Sequence, residues 1–133
     1  MQQVISTPLA PGAIGVYSQA VKAGNTIYIS GQIGLDPKTM EMVSESFDDQ
    51  VHRIVENIQA ISNAAGADLS SMVTMTVYLK DMSYFDELNS ILQKVLAPPY
   101  PARAAVAVSG LPRQALVEMD AILVTQTVSN SAV

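Results

Sequence analysis

The sequence predicts an α+β fold in which two helices cover one face of a sheet. Two observations predict it. Several short stretches alternate apolar and polar residues at a period of two, while two others repeat apolar residues at helical spacing. After a short opening strand their order is strand, strand, helix, strand, helix, strand, strand, which mixes the two element types around one sheet. At 133 residues the chain has the size of one domain, residues 1–133, and can bury a sizeable core.

The opening strand is expected around Val4 to Thr7, followed by a Pro/Gly-rich loop. Tyr17 to Val21 begins a second strand, and Gly24-Asn25 marks a turn. Thr26 to Ile33 reads as strand, with Ile27 and Ile29 on one face and Tyr28 and Ser30 on the other. Asp36-Pro37-Lys38-Thr39 is a turn. The first helix is expected from Phe47 to Ala65, because Val51, Ile54, Val55, Ile58 and Ile61 form one apolar stripe and Gly66 supplies a stop. Val73 to Leu79 alternates, with Val73, Met75, Val77 and Leu79 inward. The second helix is expected from Tyr84 to Leu96, with Ser83 as its N-cap, acids Asp86 and Glu87 in its first turn, and Pro98-Pro99 beyond its end. Two strands follow, Arg103 to Val108 and Ala115 to Thr125, and the tail from Ser129 is expected to fray.

Composition excludes several classes of function. Charged residues are only 14% of the chain and apolar ones 49%. A surface so poor in charge, with one sheet face uncovered, predicts an oligomer. The net charge is −5 and no basic run exists, which argues against a nucleic-acid footprint. Cysteine is absent, so disulfides, thiolate catalysis and zinc-thiolate sites are excluded, and a cytoplasmic location fits. The N-terminus has no basic start, predicting no signal peptide, and no apolar stretch reaches the roughly 20 residues of a membrane span. His52 is the lone histidine and has no metal-spaced partner, so no metal site is readable. The seven methionines are scattered and read as core filler.

The chemistry-bearing stretch lies near the end. Pro101-Ala102-Arg103-Ala104-Ala105 places an arginine at the mouth of a small-residue strand, and Val117-Glu118-Met119-Asp120-Ala121 places two acids on one face of an apolar strand. A guanidinium can grip a carboxylate with two parallel hydrogen bonds, and a carboxyl group can move protons to and from water. The residues alone leave two readings open. Arg103 is either a ligand grip or a strand-edge arginine paired with an acid; Glu118 and Asp120 are either acid/base groups or the wet face of an edge strand. Tyr17 and Ser30 read equally as packing and capping residues, and Asn89 as an exposed helical residue.

The same stretch carries a resemblance. Together with Gly15-Val16-Tyr17-Ser18-Gln19-Ala20 and Ile27-Tyr28-Ile29-Ser30-Gly31-Gln32, it resembles the RidA family, the YjgF-type reactive-intermediate deaminases, over roughly Ile5 to Val124. The resemblance implies a chorismate-mutase-like fold, a homotrimer with clefts between subunits, and no metal or organic cofactor. It implies hydrolysis of 2-aminoacrylate or 2-aminocrotonate, as their imine tautomers, to a 2-keto acid and ammonia. Arg103 would hold the substrate carboxylate, Glu118 would act as acid/base, and Tyr17, Ser30, Gly31, Asn89 and Ala105 would line the cleft. Asp120 falls at a position with no assigned role and reads as structural. A non-catalytic trimer that senses keto acids is the alternative, and a ribonuclease or translation inhibitor a third reading that the acidic balance disfavours. The chain departs from the family pattern in Val16, where a proline is common, in Ala105, where some relatives carry a cysteine, and in its short loop Ala97 to Tyr100. A hairpin of the last two strands would pair Arg103 with Glu118, whereas the implied fold separates them, so that they would meet across a subunit boundary.

Overall fold

The computed structural model describes residues 2–125, so the tail from Ser129 lies outside the described residues. Six strands form one sheet: β1 (Gln2–Ile5), β2 (Ala20–Ala23), β3 (Thr26–Gln32), β4 (Met72–Leu79), β5 (Ala102–Ala107) and β6 (Val117–Val124). Helices α1 (Phe47–Ala64) and α2 (Phe85–Val95) complete the α+β architecture. The sheet order is β1-β2-β3-β6-β4-β5. All neighbours are antiparallel except β4 and β5, which run parallel and are joined through α2. The last strand thus inserts between β3 and β4, and the hairpin of the last two strands does not form.

Periodicity explains the core. In α1 the stripe Val51, Ile54, Val55, Ile58 and Ile61 is buried, each side chain contributing about 1.5–3 kcal/mol relative to exposure. It packs on Ile27 and Ile29 of β3 and on Met119, Ala121 and Leu123 of β6. Ser46 caps α1 by accepting from Asp49 N–H at 3.3 Å. At the other end Gly66 takes φ +82°, its N–H bonds to Asn63 and that of Ala67 to Ser62, so the predicted stop is a Schellman cap.

Several boundaries differ from expectation, each for a local reason. The first strand lies earlier, at Gln2–Ile5, and the second starts only at Ala20. Tyr17 to Gln19 stay in the loop because the Gln19 side chain, 4% exposed, binds that loop instead. Its Oε1 accepts from Thr7 N–H at 2.7 Å, and its Nε2 donates to the carbonyls of Thr7, Ala10 and Pro11. In β4 the register with β6 shifts between Met72 and Thr74. Met72 takes the inward place and Val73 turns out, 46% exposed, against the simple alternation. Ser83 is not the cap of α2. It lies within a 3-10 turn, Met82–Tyr84, capped by Asp81, and α2 follows Tyr84 without a side-chain cap.

Among the described residues nothing forms a second layer on the face of the sheet away from the helices. Tyr28, Val106 and Val124 stand 43–50% exposed there and along the open edges. Among the described residues no helix is long and apolar enough to cross a membrane.

Candidate active site

The candidate residues gather at two places. On the open face, Glu118, Gly31 and Tyr17 line one cavity of about 420 Å³, together with Gln19 and Arg113. Glu118 stands opposite Tyr78 in register, and Asp120 opposite Thr76, so both acids share that face as their spacing requires. The β3–β6 register shifts between Ile29 and Gln32, which sets Ser30 and Gly31 in a bulge beside Glu118. Ser30 Oγ donates to the Ser18 carbonyl at 2.6 Å and its N–H to Gln19, tying the bulge to the Tyr17 loop. Gly31 leaves the space that the Glu118 carboxyl fills. A Cβ added there would fall on Glu118 Oε2 and 3.1 Å from its Cδ. Among the described residues Glu118 has no side-chain hydrogen-bond partner. Burial, then the Asp120 carboxylate, pushes its proton affinity above the ordinary glutamate range.

Arg103 lies on the helix face. Its parallel partner in β4 is the buried Met75, and it lines a second cavity of about 460 Å³ with Asn89, Leu92, Leu96 and Tyr100. Its guanidinium donates to Asn89 Oδ1 and stands 5.3 Å from the centre of the Phe85 ring. Among the described residues no acid pairs with it, contrary to the strand-edge ion-pair reading. Ala105 is two residues along on the same strand face, opposite Val77, and packs against the core rather than lining that cavity.

Apart from Ala105, the predicted residues therefore fall into two separate groups. Arg103 and Asn89 belong to one; Tyr17, Ser30, Gly31 and Glu118 belong to the other. Arg103 and Glu118 lie two strands apart and three register positions along β4, about 14 Å between Cα atoms, and they face opposite sides of the sheet. Within one chain they line different cavities.

Sequence reasoning passed over Gln19, which moulds the loop that carries Tyr17, and Arg113, whose guanidinium donates to the Met40 carbonyl at 2.9 Å. Arg113 and Gln114 both take positive φ, 57° and 56°, an arrangement that no glycine in the sequence advertises. For Gln19 the available signal was an amide inside the Tyr17-Ser18-Gln19-Ala20 motif.

The family model described as Endoribonuclease L-PSP matches residues 7–125. The chain belongs to this family, the YjgF/RidA family. Among solved structures of the family, RidA from an Antarctic Psychrobacter is 51% identical, covers 92% of this chain and 99% of its own, and superposes with a TM-score of 0.90. A RutC family protein of Pyrococcus horikoshii is 48% identical over 92% of this chain and 97% of its own length. A YjgF/RidA relative from Dermatophagoides farinae, named 2-iminobutanoate/2-iminopropanoate deaminase, is 40% identical over 94% of this chain and 98% of its own.

Proposed function

We propose that the protein hydrolyses short 2-imino acids, the tautomers of 2-aminoacrylate and 2-aminocrotonate, to 2-keto acids and ammonia. The observation that carries the reading is the Glu118 carboxyl, half-buried over Gly31, with raised proton affinity and no side-chain partner among the described residues. The deaminase name of the Dermatophagoides relative supports it. In the proposed homotrimer, Arg103 of one copy and Glu118 of the next face a common cleft. Exposed apolar residues at the Tyr17 loop, with Val16 fully exposed and Leu9 and Ile14 more than half, support coverage by a neighbour.

Arg103 grips the substrate carboxylate with its forked donors. Glu118 accepts a proton from water as the water oxygen bonds to the imine carbon, and the C=N π electrons pass to nitrogen. That nitrogen takes up the proton, giving a carbinolamine. Glu118 then takes the hydroxyl proton and passes it to the nitrogen as the C–N bond breaks, so that ammonia leaves and the keto group remains. Holding water and imine together supplies much of the rate. Ammonia and keto-acid release from imines made in situ by a threonine dehydratase tests the reading. Tight keto-acid binding without faster release would instead favour a sensor.

Two further results are expected. Gly31→Ala should push the Glu118 carboxyl aside while leaving the melting temperature nearly unchanged, because the collision is with the far end of a side chain. A displacement of that size should cost about tenfold to a hundredfold in turnover. Equal turnover in a folded Ala variant would remove Glu118 from the reaction. Secondly, Arg103→Lys and Glu118→Gln chains, each inactive alone, should regain about one quarter of normal activity when refolded together, since that share of random head-to-tail interfaces holds both intact groups. Scattering that returns a monomer, or mixtures as inactive as their parents, would rule out the shared cleft.

A further inference from the structure

Glu118 stands beside a phenol that does not bond it. Tyr78 is its cross-strand partner on the open face, and a pair in that position puts side chains within easy reach. Yet the Tyr78 hydroxyl donates diagonally, to Asp120 Oδ2 at 2.9 Å. Asp120 is held on the same face by its place two residues along β6, opposite Thr76. A phenol with an accepting carboxylate next to it has no need of a second one, so the Glu118 carboxyl is left to lie over Gly31 with its lone pairs open.

We propose that Asp120 and Tyr78 are a positioning pair for Glu118, in which Asp120 holds the Tyr78 hydroxyl away from the Glu118 carboxyl and keeps that carboxyl free for water. The pair has a second effect, through charge. The Asp120 carboxylate raises the proton affinity of Glu118 beyond what burial does, and the bond to Asp120 makes the Tyr78 hydroxyl harder to ionise. The other titratable or charged groups around Glu118 are Tyr17 and Arg113, which share its cavity, and Lys80, just past the end of β4. The neighbouring stretch of β3 offers only Ser30, Gly31 and Gln32. Both residues thus act through Glu118 rather than on the substrate, and the inference rests on the proposed proton role of Glu118.

The test is a set of variants assayed for imine hydrolysis across pH. Asp120→Ala releases the phenol, which turns to Glu118, and should lower kcat about tenfold with little change in KM. Adding Tyr78→Phe removes the competing donor, so the double variant should recover most of that loss. Asp120→Asn keeps an acceptor for the phenol but removes the charge. It should hold most of kcat while the acid limb of the pH profile moves to lower pH. A merely structural pair would give a double variant at least as slow as Asp120→Ala, and that result overturns the proposal, as does unchanged kcat in Asp120→Ala. Glu118→Gln is assayed alongside. If it turns over normally, the proton role of Glu118 fails and the pair with it; if it is slow while the double variant shows no recovery, the pair alone fails.

Discussion

Arg103→Lys is expected to lose about 2–4 kcal/mol of transition-state stabilisation, the scale for removing one well-placed electrostatic contact. Lysine keeps the charge but not the planar fork that matches a carboxylate. It also cannot bond Asn89 Oδ1 while presenting two parallel donors to a ligand, as the guanidinium can. The position is exposed on β5 and has no acid partner among the described residues, so the fold should tolerate the change. The measurement is kcat/KM for imine hydrolysis beside a melting curve. A folded Lys variant with near-normal turnover would make the arginine a packing residue over Phe85.

Glu118→Gln should slow turnover by roughly a hundredfold to ten-thousandfold, the usual worth of a positioned proton carrier. Glutamine keeps the shape that lies over Gly31 and one acceptor, but it takes no proton. Keto-acid affinity should persist or rise, because in the proposed cleft the grip comes from Arg103 of the neighbouring copy and a negative charge near the ligand is gone. Calorimetry with pyruvate or 2-oxobutanoate, paired with the hydrolysis rate, separates the effects. An unchanged rate would shift the water-holding role to backbone groups at Gly31. Joint loss of rate, binding and melting temperature would show that Glu118 holds subunits together.

Local periodicity made much of this molecule legible. The stripe of α1 and the alternation of β3 depend only on residues a few positions apart, and both appear as expected. So does the shared face of Glu118 and Asp120, which follows from a period of two. What stayed hidden depends on distant partners. Nothing in the residues of β6 says that it inserts between β3 and β4. The outward turn of Val73 comes from a bulge against β6, invisible in an alternation that continues unbroken. Ser83 has the chemistry of a cap, but Asp81 two residues earlier caps a 3-10 turn that takes Ser83 into its interior. The face of Arg103 was unreadable for a simple reason: Ala102, Ala104 and Ala105 are too alike to mark inside from outside.

The opposition of Arg103 and Glu118 across the sheet bears on how the protein behaves on dilution. The proposed chemistry needs both groups and so belongs to an assembly, and a lone chain would be inert. Specific activity would then depend on protein concentration, fall in dilute assays, and recover after a lag set by the rate at which chains find one another.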